Sequence, residues 1–126
     1  ARPTAESYPG GRDDLGMTYM RVGRGDAQMR GCVAAGFPFI FGFTVYESFE
    51  SDAVTRTGNI PMPRGDERTL GGHAMCVVGY DNPAKRFVVR NSWGTSWGKK
   101  GYGTMPYAYF TNTELSADFW TLRAVS

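Results

Sequence analysis

GGHAMCVVGYDNPAKRFVVRNSWGTSWGKKGYGTM, residues 71–105, carries most of the structural signal in this 126-residue chain. Its first part reads as two strands, His73–Tyr80 and Arg86–Asn91. Both runs are rich in the β-branched and aromatic residues that suit a pleated, half-buried surface. Between them, Asp81, Asn82, Pro83, Ala84 and Lys85 supply turn chemistry. The two strands should therefore form an antiparallel hairpin. The rest, Ser92–Gly103, is rich in Gly and Trp and reads as irregular chain.

Upstream, a Phe- and Val-rich run from Phe37 to Tyr46 is bounded by Gly36 and Pro38 and is expected to be a buried strand. A short helix should precede it. Asp26 is placed to cap its start, and Met29, Cys32 and Val33 share one apolar face at i, i+3 and i+4. Gly36 would close it in the left-handed conformation that glycine adopts cheaply. Glu47–Val54 suggests a helical turn. Residues 57–72, with six Gly and Pro, read as a long loop, and loops of that length in compact domains are often functional. Downstream, Pro106 should open a helical turn over Tyr107–Phe110, and Phe119–Val125 alternates as a last strand. Residues 1–25 read as an extended leader with a short strand at Met17–Val22, and residues 26–126 as the domain proper. The fold class expected is α+β, mainly antiparallel β, with one or two short helices.

Composition limits function. The formal net charge of +2 is small and evenly spread, which argues against a nucleic-acid partner. No run reaches the length of a membrane-spanning helix, so no membrane partner is expected. The first residues lack the apolar core of a signal peptide. No initiator Met opens the chain, as expected of a piece of a longer protein. Two cysteines, Cys32 and Cys76, make neither a disulfide framework nor a metal site. A single bridge between them stays open at this level, and so does the compartment.

The pattern His-Ala-x-x-x-x-Gly-Tyr, a hairpin, and then Asn-Ser-Trp-Gly-x-x-Trp-Gly-x-x-Gly-Tyr resembles the right-hand domain of papain-like cysteine peptidases. The resemblance is strong over about 35 residues and looser over most of the remainder. It implies the β-barrel-like half of that fold, with a peptide or protein as substrate and no metal or cofactor. It also implies roles. A cysteine thiolate needs an imidazolium to hold its pKa down, and His73 would be that partner and the acid that protonates the leaving amine. Asn91 would fix the tautomer and orientation of the imidazole. The hairpin brings them together, because His73 starts one strand and Asn91 ends its antiparallel neighbour. Trp93 would cover their hydrogen bond, and Trp97, Gly98 and Gly101 would shape the turns around it. Gly72, Ala74 and Gly42 would border the substrate, Gly72 through its carbonyl and the other two beside a side-chain pocket.

The family's Cys-Gly-Ser-Cys-Trp signature does not occur in this sequence. Family spacing places the nucleophile about 130–150 residues before the histidine, so it is expected before Ala1, in a left-hand domain. The partner expected is therefore that missing domain or a self-associated copy, and the chain alone should be inactive. Cys76, three positions after His73, falls on the opposite strand face. Cys32 lies near the C-terminal end of its helix, away from the helix N-terminus that would lower its pKa. Two rival readings are a non-catalytic peptide-binding module on the same scaffold and a compact Cys–His hydrolase using Cys32. Arg24-Gly25-Asp26 and Arg64-Gly65-Asp66 are chance tripeptides, and Gly94–Lys99 lacks the spacing of a phosphate loop. Asp13-Asp14 and Asp66-Glu67 read as solvated charges, although Asp66-Glu67 could face substrate.

Overall fold

A computed structural model of the chain describes residues 11–12 and 17–124. Among the described residues, seven strands form one sheet: β1 Gly11–Arg12, β2 Met17–Arg21, β3 Phe39–Tyr46, β4 Thr69–Asp81, β5 Arg86–Arg90, β6 Tyr102–Pro106 and β7 Ser116–Ala124. Their spatial order is β1-β2-β7-β3-β4-β5-β6, every neighbouring pair antiparallel. The sheet thus takes strands from both ends of the chain, with β3 and β4 at its centre.

The expected α+β, mainly antiparallel class with short helices holds, and the sheet is not a closed barrel. β1 and β6 lie at opposite edges and do not pair, so the sheet is open. Closure would require a paired edge. Instead the core is completed by helices: α1 Asp26–Ala34 and α3 Tyr107–Thr111 supply Met29, Tyr109 and Phe110 to the cluster that contains Phe39, Phe41, Phe43, Val77, Phe87 and Val89. Phe110 packs 4.4 Å from Phe41 and 4.6 Å from Phe87, ring centre to ring centre. β3 is buried on one face rather than wholly. Phe39, Phe41, Phe43 and Val45 are inside, while Ile40 is 52% exposed.

Local chemistry explains the other boundaries. Gly25, not Asp26, is the N-cap of α1; Asp26 lies inside the first turn and pairs with Arg30 at 2.9 Å. A carboxylate there faces the positive end of the helix dipole. Gly36 closes the helix as expected, at φ +92°, with the Gly36 N–H donating to Val33 and the Phe37 N–H to Cys32. The helical turn after β3 is two pieces, a 3-10 turn Glu47–Glu50 and α2 Asp52–Thr57. Ser51 caps α2 by accepting the Val54 N–H. The loop before β4 is correspondingly shorter, residues 58–68. β6 falls where irregular chain was expected, because Gly101 and Gly103 hide its alternation. A Cβ on Gly103 would sit 2.5 Å from the Gly58 carbonyl oxygen and 2.8 Å from the Trp97 ring, so that close crossing requires glycine. The last strand begins three residues earlier than expected, at Ser116, and Val125 lies outside the described residues. No disulfide joins Cys32 and Cys76.

Candidate active site

β4 and β5 pair Cys76 with Arg90 and Val77 with Val89. Carrying that register one residue further sets Met75 opposite Asn91, with His73 two positions along on the same face. Diagonal neighbours of this kind are within reach of long polar side chains. His73 Nε2 and Asn91 Oδ1 are 3.0 Å apart. Asn91 is 4% exposed, and the same Oδ1 accepts the Ser92 backbone N–H at 2.8 Å. That second bond identifies the oxygen of the amide, so His73 Nε2 must carry the proton it shares. Nδ1 has no hydrogen-bond partner among the described residues and is available to a second group. Asn91 Nδ2 is buried and lacks an acceptor among the same residues.

Aromatic rings hold the imidazole. Trp93 stacks on it at 4.9 Å and 27°, and Phe43, its cross-strand partner, meets it edge-on at 5.6 Å. Phe49 touches His73 at 6.1 Å, Trp93 at 5.4 Å and Trp97 at 5.9 Å. Trp97 is 3% exposed, while Trp93 keeps 45% of its surface open. The indole therefore shields one side of the imidazole and faces solvent with the other. Gly98 and Gly101 take φ +59° and +91°, and Gly98 passes so close to the Tyr102 carbonyl that a Cβ would lie 2.4 Å from it.

Gly42 and Ala74 are direct cross-strand partners, and Gly42 also pairs with Ala117 of β7. The row of three small residues lies on the sheet face opposite His73. Gly72, paired with Thr44, is exposed beside His73 in sequence. Cys76 also belongs to the opposite face; burial pushes its thiol up, with Arg90 partly offsetting the effect. Cys32 is 8% exposed and donates its thiol to the Phe37 carbonyl at 3.2 Å. The structure brings His73, Asn91, Trp93 and Trp97, all singled out from the sequence, together with Phe43 and Phe49, which were not. The first was legible as an inward position of β3; the second sits in a four-residue turn with no periodicity to read. Glu67, expected to be solvated, is buried instead and is held by backbone N–H groups.

Comparison with known proteins places this arrangement. The family model described as "Papain family cysteine protease" matches residues 15–118. An uncharacterized peptidase C1-like protein of Acanthamoeba polyphaga mimivirus is 49% identical over 92 residues, 73% of this chain and 30% of that protein. Cathepsin B-like cysteine proteinase 4 of Caenorhabditis elegans is 37% identical over 90 residues, 70% of this chain and 25% of that protein. The crystal structure of Xylellain, a cysteine protease from Xylella fastidiosa, matches with a TM-score of 0.80 and 42% identity, covering 86% of this chain and 40% of that one. The chain thus spans about a quarter to two fifths of these relatives, matching them as a C-terminal portion. With the matched region running through the hairpin and both indoles, the chain belongs to the papain family of cysteine proteases.

Proposed function

We propose that this chain is the acid–base half of a peptidase site that cleaves peptide bonds through a thioester, with the nucleophilic cysteine supplied by a complementary part of the protease. The observation that carries the reading is the 3.0 Å contact between His73 and Asn91. With Nε2–H committed to the carboxamide, Nδ1 is the nitrogen that would pair with a thiolate as imidazolium. It would then protonate the departing amine. Asn91 is neutral, so it orients the ring without adding charge. Trp93 and Trp97 support that geometry. The exposed Gly72 leaves room for a peptide beside His73, whereas Gly42 and Ala74 lie on the opposite sheet face.

Among the described residues no cysteine lies in reach of this pair, so the chain alone would be inactive. Cys32 is spent on the Phe37 carbonyl in the core, which disfavours the compact-hydrolase reading. A hollow of about 280 Å³ opens on the far face beside Ile40, Ala74, Cys76 and Asn91. That apolar face, on the side of the sheet away from His73, would be covered by a neighbouring part of the protease or, in its absence, by a second copy. Sedimentation of the isolated chain should show concentration-dependent self-association that is abolished by Ile40→Glu; a monomer at all concentrations would count against it.

The test of the catalytic reading is a chimera in which this chain replaces the matching portion of the Xylella protease. It should hydrolyse peptides. His73→Ala should lower kcat by roughly 10²–10⁴-fold, and Asn91→Ala by less. Hydrolysis by the isolated chain, or a chimera indifferent to His73→Ala, would overturn it.

A further inference from the structure

Glu67 is the one buried carboxylate among the described residues, 9% exposed. It sits in the loop between α2 and β4. Oε1 accepts the Ser48 N–H and Oε2 the Arg64 N–H, each at 2.7 Å. A second carboxylate answers it across the gap: Glu47 accepts the Arg68 N–H at 3.0 Å. Residues 47–48 and 67–68 therefore exchange backbone donors for side-chain acceptors in both directions. Bonds from N–H to an ionised carboxylate are about twice as strong as neutral ones.

The segment they hold is the 3-10 turn Glu47–Glu50, which has no side-chain cap of its own. Such turns have poor internal hydrogen-bond geometry and depend on outside anchors. The turn delivers Phe49, 1% exposed, whose ring packs against Phe43, His73, Trp93 and Trp97. Phe49 is thus the wall behind both the imidazole and the indole stacked on it.

We infer that Glu67 is a positioning residue for His73: its carboxylate fixes the 3-10 turn, and the turn fixes Phe49 against the imidazole. The inference rests on the reading of His73 as the acid–base group. Removing the carboxylate leaves the half-buried Ser48 N–H without its acceptor, and the turn must move to reach water. Phe49 moves with it, and the His73–Trp93 stack loosens.

His73 is the only histidine of the chain, so its ring protons give isolated NMR signals. Trp93, stacked at 4.9 Å, displaces those signals by its ring current. The experiment compares Glu67→Ala and Glu67→Gln with Thr121→Val, which removes a remote buried bond to the Pro38 carbonyl and controls for lost stability. Glu67→Ala should move the His73 signals toward those of free imidazole. Glu67→Gln, which keeps one acceptor oxygen, should lie between. Thr121→Val should leave them in place while lowering the unfolding midpoint. In the chimera, Glu67→Ala should lower kcat by up to about 10²-fold with KM little changed, as expected of a misplaced catalytic group. Unmoved His73 signals in folded Glu67→Ala, or equal movement in Thr121→Val, overturn the inference. Should Glu67→Ala not fold, Glu67→Asp, too short to span both N–H groups, decides by the same criterion. The NMR readout needs no catalysis. An inert chimera whose His73 still responds to Glu67 would sink the peptidase reading alone; an active one whose His73 ignores Glu67 would sink this inference alone.

Discussion

Trp93 and Trp97 stand four residues apart, yet their side chains serve different ends. Trp97 is buried against Phe49, with Gly103 of β6 beside its ring, and holds β6 in place. Trp97→Ala should cost about 3–5 kcal/mol, the usual range for a large core aromatic. Trp93 is nearly half open and stacks on His73, so Trp93→Ala should cost less than about 1 kcal/mol, in line with exposed positions. Urea unfolding midpoints measure both; equal losses would contradict the division of labour. At this scale the sequence was informative where spacing carried the meaning. His73, Asn91 and Trp93 were readable because a hairpin and a fixed motif tie them together. Glu67 was not, because a buried carboxylate looks like a surface charge until its N–H donors are known.

The elements that were hardest to foresee are the ones set by contact rather than by periodicity. β6 is masked by Gly103, which a close crossing requires, and by Gly101 at positive φ just before it, and the Glu47–Glu50 turn is too short to show a pattern. Its anchor makes a pH signature. The Arg64 and Ser48 backbone N–H groups hold the Glu67 carboxyl below its ordinary value of 4.5, against the opposing effect of burial. A carboxyl lowered on folding stabilises the native state above its unfolded pKa, and that contribution disappears as pH falls through the folded value. The stability difference between the native sequence and Glu67→Gln should therefore be full above about pH 4.5 and shrink as the pH is lowered further. Thermal unfolding across pH 2–7 checks it; a difference independent of pH would show that the charge contributes nothing. By contrast, the β4–β5 hairpin, α1 and its glycine stop, and β3 were legible, since alternation, helical spacing and turn residues agreed there.

For the molecule as a whole, the antiparallel architecture was readable and its closure was not. Nothing in local sequence reveals whether edge strands meet, and here α1 and α3 cover the core that a closed sheet would have enclosed. The open far face, with Ile40 52% exposed beside a row of small residues, fits a chain that spans 40% of the solved Xylella relative. Such a half presents an imidazole with one nitrogen engaged and the other waiting. The role proposed for it is tested by the acidity of the sulfur it would meet. In the chimera, the rate of alkylation of the cysteine contributed by the Xylella segment should be measured against pH. If His73 holds that sulfur as a thiolate, alkylation stays fast well below pH 8, and His73→Ala shifts the profile to that of an ordinary thiol, with a midpoint of about 8.5. A profile unchanged by His73→Ala would contradict the account.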